Sequence, residues 1–248
     1  MKLILNCDNQ AGGLIGYLSN SSVKSSSVSG EVHGGSTTGG FVGYMAQDCS
    51  IESSSVDGEV YGGMYTGGFV AYMNDNVSIT DSTARANVYS EDDCVGGFVG
   101  VLENSSVYNC KAEGNVEGYA YVGGICGSAS SPDNSTTLEV IDCGFSGKVS
   151  GGEEVGGLIG AMSHTLVKNS TVTAESVSAS DYNCGGLIGV ANEVSRVYDC
   201  WVKTSEDITA NDCVGGIVGN MGGDVEVHRC FGELKNIVAV LGPVGEGY

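Results

Sequence analysis

Gly96-Gly97-Phe98-Val99-Gly100 decides the reading of this chain, because the same five-residue pattern returns eight times. The other copies are Gly12–Gly16, Gly39–Gly43, Gly67–Ala71, Gly123–Gly127, Gly156–Gly160, Gly185–Gly189 and Gly215–Gly219. Their starts are 27, 28, 29, 27, 33, 29 and 30 residues apart. A short period held over most of a chain marks one structural unit stacked on itself.

Working outward, each unit has two halves. The first is Gly-Gly, two apolar residues and a third glycine. The second runs ten residues from an apolar position, as in Ile51–Val60, with equivalents at Val23–Val32, Ile79–Val88, Val107–Val116 and Val140–Val149. The copy at Val167–Ser176 keeps the pattern, while those starting at Val197 and Val227 keep mainly their first part. Val56, Gly58 and Val60 alternate with Ser55, Asp57 and Glu59, which predicts a strand with one apolar face. Across units the inward positions read Val28, Val56, Ala84, Ala112, Phe145 and Val172. The outward ones read Ser29, Asp57, Arg85, Glu113, Ser146 and Thr173, so in-register stacking sets Arg85 between two acids.

No long window has a 3.6-residue apolar period, and glycine interrupts every candidate helix. The 41 glycines follow no Gly-X-Y period, which excludes collagen, and the 41% hydrophobic content at regular spacing argues for an ordered core rather than disorder. A unit of this length cannot bury its own apolar face, but a coil buries each turn against the next. The expectation is an all-β, right-handed parallel β-helix (a solenoid) of about eight turns, 27–33 residues each, forming a rod of roughly 40 Å at ~4.8 Å per turn. The paired glycines suit corners that need positive φ or close backbone approach, and the third suits a narrow interior. We expect one domain over 1–248, with repeats at 12–232, an N-terminal edge at 1–11 and a C-terminal edge or tail at 233–248. Leu3–Leu5 and Ile237–Leu241 are candidate caps. The spacing of 33 predicts a polar loop at Ser128–Thr137 that projects from the rod.

The recurring Gly-Gly-(Leu/Phe/Ile)-(Ile/Val)-Gly, usually followed by a Ser/Asn-rich strand, resembles the GLUG-motif repeat family. Similar motifs occur in large bacterial surface proteins, including streptococcal IgA-specific metallopeptidases, and in protist surface proteins. The resemblance spans about residues 11 to 232 and departs from the pattern at Ala71 and Cys126. It implies a non-catalytic β-solenoid segment of a surface protein. Peptidase activity does not carry over, since no His-Glu-x-x-His motif is present.

Net charge is −20, from 30 acidic and 10 basic residues, which disfavours nucleic acid and anionic membranes as partners. No window approaches the ~20 apolar residues of a membrane span. Met1–Leu5 is too short for a signal-peptide core, so a cytosolic protein and a fragment of a secreted one both stand, with an extracellular or cell-surface location the working expectation.

Among chemistry-bearing residues, Cys110, Cys143, Cys200 and Cys230 share a position held elsewhere by Ser26, Ser54, Ser82 and Ser170. That exchange reads as small, weakly polar and inward. It argues against metal ligands, and no C-x-x-C pair supports zinc. Adjacent turns bring Cys110 near Cys143 and Cys200 near Cys230, within disulfide distance, but parallel stacking gives poor geometry for the S–S dihedral, so free thiols are favoured. The acids Glu91-Asp92-Asp93, Glu153-Glu154, and Glu206-Asp207 with Asp212 fall at different offsets. A solvated rim is favoured over calcium, and no cofactor is expected.

Asp81, Asp142 and Asp199 alternate with Asn109 and Asn169 at one position, which reads as a corner ladder rather than a hydrolase pair. His33, His164 and His228 form no set. Tyr17, Tyr44 and Tyr72 are equivalent and predicted to stack outside the first three turns, and Trp201 and Phe231 are a second equivalent, outward pair. These five are the candidate interaction surface. The functional expectation is a non-catalytic structural or adhesive segment that meets a protein or carbohydrate ligand, or associates end to end. The alternatives are a carbohydrate-active β-helix enzyme and an intracellular scaffold or filament subunit.

Overall fold

The computed structural model describes residues 3–7, 9–131 and 137–239. Every strand pairing among them is parallel, and no helix occurs. The chain coils through about eight turns, and each turn crosses three faces. In the third turn, Val70–Asn74 lies on the glycine face, Ser78–Thr80 on the short face and Thr83–Ser90 on the long face. The glycine and short faces hold eight strands each, from Ile15–Ser19 to Val218–Met221 and from Ser22–Lys24 to Val225–His228.

Register follows the repeat. Ala84 sits over Val56 and under Ala112, then Phe145, Val172 and Val202 continue the same inward column. Arg85 lies between Asp57 and Glu113 and pairs with Glu113 at 3.4 Å.

The paired glycines answer to close approach. A Cβ on Gly96 would sit 1.8 Å from Val99 O in its own tight corner, and one on Gly97 would sit 2.3 Å from Gly124 O of the next turn. None of the motif glycines has positive φ. The chain then bends so that two consecutive N–H groups share one acceptor: Phe41 N and Val42 N both donate to Phe69 O, at 2.8 and 3.0 Å. Both of those side chains are fully buried, which accounts for two adjacent apolar residues in every copy. Down the axis Phe41, Phe69 and Phe98 stack with centroids 4.7 Å apart.

Positive φ appears elsewhere. The residue after each short-face strand is left-handed in all eight turns: Ser25, Ser53, Asp81, Asn109, Asp142, Asn169, Asp199 and Arg229, with φ of 49–56°. Asn and Asp tolerate this region better than other side chains, and they fill five of the eight places. The ten-residue half-unit is therefore two faces joined by a corner without glycine.

The next residue forms a ladder. Ser54 Oγ donates to Glu52 O at 3.0 Å and accepts from Ser26 N at 3.2 Å, one turn before. Ser82 repeats this with Thr80 O and Ser54 N. Cys110, Cys143 and Cys200 donate to the matching carbonyls at 3.2–3.3 Å.

The rod ends differ from the expected caps. Leu3–Cys7 pairs with Gly30–Gly34 as one more strand of the long face, and Ile237–Ala239 pairs with Ile208–Ala210 in the same way. Both extend a column instead of crossing an end; Val240 and Leu241 lie outside the described residues. From Asn211 to Ala239 no residue is fully buried, so among the described residues the last turn is the least buried. The polar loop starts later than Ser128, since Ser128, Ala129 and Ser130 pair with Val101, Leu102 and Glu103. Residues 132–136 of that loop lie outside the described residues.

Candidate functional surfaces

The tyrosine row forms as its spacing predicts. Strand register places Tyr44 between Tyr17 and Tyr72, with centroids 5.6 and 5.0 Å apart and ring planes within 13°. Tyr65 meets Tyr72 edge-on at 5.2 Å. Burial, and then a hydrogen bond to Glu103, push the Tyr72 hydroxyl well above its ordinary value. Beyond Tyr72 the column continues as Val101 and Ser128, so the aromatic row is three residues long. Stacking covers both faces of Tyr44 and one face each of Tyr17 and Tyr72, so outward the row offers mainly edges and hydroxyls.

A second row escaped the sequence reading. His33, Tyr61 and Tyr89 stack on the long face at 4.6 and 5.2 Å. Their spacing of 28 residues was the available signal. Tyr61 donates to Glu59 at 2.8 Å, which fixes the middle ring.

Trp201 and Phe231 occupy one column and are 38% and 67% exposed, as the outward assignment requires. No ring contact joins them among the described residues, so they are two separate apolar projections rather than a stack.

Several of the acidic groups are engaged locally, while Glu154 Oε2 is buried without a hydrogen-bond partner among the described residues. Glu153 accepts from Tyr182 at 2.6 Å and lies within 3.5 Å of the Tyr119 hydroxyl, and Tyr182 is pushed up to about 12, first by that bond. Burial, followed by the charges of Glu153 and Asp93, raises the neighbouring Glu154. Asp207 accepts from Asn236 at 2.8 Å. Among the described residues, no three His, Cys, Asp or Glu side chains converge as metal ligands.

Within the Asp/Asn corner ladder, Asn109 donates to Asp81 at 2.6 Å, and Asp199 takes a two-pronged pair from Arg229. The three aspartates stand two turns apart with Asn between them. An open groove of about 410 Å³ on the long face is lined by Ser29, Gly30, Asp57, Gly58, Glu59 and Asn87.

All ten cysteines are free thiols. Cys110 and Cys143 are neighbours on adjacent turns in the sealed core, and Cys200 and Cys230 are neighbours at the least buried turn.

The family model of the GLUG motif matches residues 8–32, 34–61 and 93–117. Three of its repeats match the GLUG motif. Each match holds a glycine pair, its glycine-face strand and the corner ladder beyond, and the remaining turns stack on these in the same register. No curated protein and no solved structure matches the chain.

Proposed function

We propose that this GLUG solenoid is a non-catalytic segment of a surface or extracellular protein, where it spaces other parts and presents an adhesive face. The observation that carries the reading is the arrangement of its recurring polar residues. The Ser/Cys ladder, the Asp/Asn corner and the charge column at Asp57, Arg85 and Glu113 each link one turn to the next. The aspartates a hydrolase would use are divided among separate corners, with Asp81 tied to Asn109 and Asp199 to Arg229. The aromatic surface features left over are the Tyr17–Tyr44–Tyr72 and His33–Tyr61–Tyr89 rows, with Trp201 and Phe231. A sugar ring stacks on an open aromatic face, whereas the tyrosine row presents mainly edges and hydroxyls, which fits a protein partner better than a glycan.

The test is binding of the purified chain to immobilised extracellular-matrix proteins and to a glycan array, beside a Tyr17→Ser/Tyr44→Ser/Tyr72→Ser variant. Protein binding that the variant loses supports the reading. A second assay follows release of reducing ends from pectin, xylan and dextran. Release that Asp142→Asn abolishes would replace the adhesive reading with the carbohydrate-active one. Surface biotinylation of producing cells tests the location, and an unlabelled protein favours the intracellular scaffold.

A further inference from the structure

Among the described residues the last two places of the ladder hold sulfur, and burial is least in the last turn. Cys200 and Cys230 occupy these places, bracketed by the register pairs Tyr198–His228 and Trp201–Phe231. In-register parallel strands set their Cα atoms ~4.8 Å apart, inside the ~4.4–6.8 Å window of disulfides. The two thiols are close enough that Cys230 adds to the rise of the Cys200 thiol. Cys230 is held loosely, with contacts of 3.5 Å to His228 O and 3.7 Å to Val197 O.

The upstream pair shows what is particular here. Cys110 and Cys143 are 0% and 2% exposed, between turns whose core is closed on both sides. An oxidant cannot reach them, and close packing resists the shift that draws two parallel Cβ atoms together. Cys230 is half-buried in a turn with no fully buried residue, so it is both reachable and free to adjust.

We propose that Cys200 and Cys230 form a disulfide that staples the last turn to the rod, made by exchange with a small disulfide such as oxidised glutathione. Cys230 loses its proton to solvent, and its sulfur attacks one sulfur of the small disulfide. That S–S bond breaks and releases one small thiol. The Cys200 thiol then gives up its proton and attacks Cys230 Sγ, releasing the second small thiol. Two protein thiols are oxidised by two electrons while one small disulfide becomes two thiols. Cys230 is half-buried while Cys200 is 1% exposed, which makes Cys230 the first to react and Cys200 the resolving partner. The staple closes a 30-residue loop around the part of the rod with least burial.

The experiment incubates the folded, full chain with oxidised glutathione, alkylates the remaining thiols, and maps all ten cysteines by peptide mass spectrometry. The expected product is a Cys200–Cys230 cross-linked peptide, with Cys110 and Cys143 still thiols. Amide hydrogen exchange across residues 214–239 should slow at least tenfold on oxidation. Cys230→Ser should remove both effects, and it keeps the ladder, since Ser54, Ser82 and Ser170 fill the same place. Cys110→Ser should change neither. Full alkylation of Cys200 and Cys230 after treatment would overturn the proposal. So would glutathione retained on Cys230 without the link, or a cross-link at another pair.

Discussion

Ser54 N–H donates to Ser82 Oγ at 3.1 Å across one turn, and that hydroxyl donates in turn to Thr80 O at 2.8 Å. One small side chain thus satisfies a buried donor from the turn before and a carbonyl of its own turn. Ser82→Ala leaves the Ser54 N–H unmet and should lower unfolding free energy by about 1–3 kcal/mol. Ser82→Cys, which restores a group the ladder uses elsewhere, should recover most of that. Urea denaturation of the two variants checks it. Equal stability of Ser82→Ala and the parent would mean water fills the gap.

At the left-handed corner, Asn169 is exposed and has φ of 51°. Asn169→Val forces a β-branched residue into that region and should cost about 1–2 kcal/mol. Asn169→Gly should stay within about 1 kcal/mol of the parent. If valine is tolerated as well as glycine in thermal melts, the corner is not held left-handed.

For the glycine pair, Gly97→Ala and Gly16→Ala make a contrast. A Cβ at Gly97 meets backbone oxygen at 2.3 Å, while one at Gly16 meets its nearest neighbour at 3.4 Å. Gly97→Ala should lose about 3 kcal/mol or fail to fold, at the severe end of overpacking. Gly16→Ala should melt close to the parent. Circular dichroism melts and soluble yield distinguish them.

Asp199 gives the pH prediction. The hydrogen bond from Arg229 holds its carboxyl below the ordinary value of 3.8. A lowered folded-state value means the contribution is present above the unfolded pKa and is lost as pH falls through the folded one. Asp199→Asn suits the left-handed corner and removes only the charge. At neutral pH and low salt it should melt slightly below the parent. The gap should close in acid and at about 1 M salt. A gap that persists in acid would assign the effect to something other than this pair.

Much of this fold is legible in the sequence because stacking repeats each environment. The period fixes the turns. Val56, Ala84 and Ala112 announce an inward column, and the exchange of Ser82 for Cys110 announces a small polar interior site. Tyr17, Tyr44 and Tyr72 were found by the same alignment. What stayed hidden depends on backbone angles. Ser53 and Asp57 look alike in an alternating polar pattern, yet Ser53 is a left-handed corner and Asp57 an outward strand residue. Asp or Asn at five of eight equivalent places was the clue. Two adjacent apolar residues, as at Phe98-Val99, break a simple in-out alternation, and only the shared carbonyl acceptor explains why both are buried. The His33–Tyr61–Tyr89 row mixes residue types, which obscures a spacing as regular as the tyrosines'.

The Ser/Cys ladder also has a direction: the backbone N–H groups of Ser26, Ser54 and Cys143 are each answered by the serine hydroxyl of the turn that follows in sequence. A chain made from its N-terminus therefore carries its waiting donor at the newest turn, while every older turn is already complete. Growth by whole units then asks nothing of what has been laid down. A gene that duplicates one 28-residue block lengthens the rod without redesigning it, and the junction is correct whenever the new block brings its small polar residue to the same place.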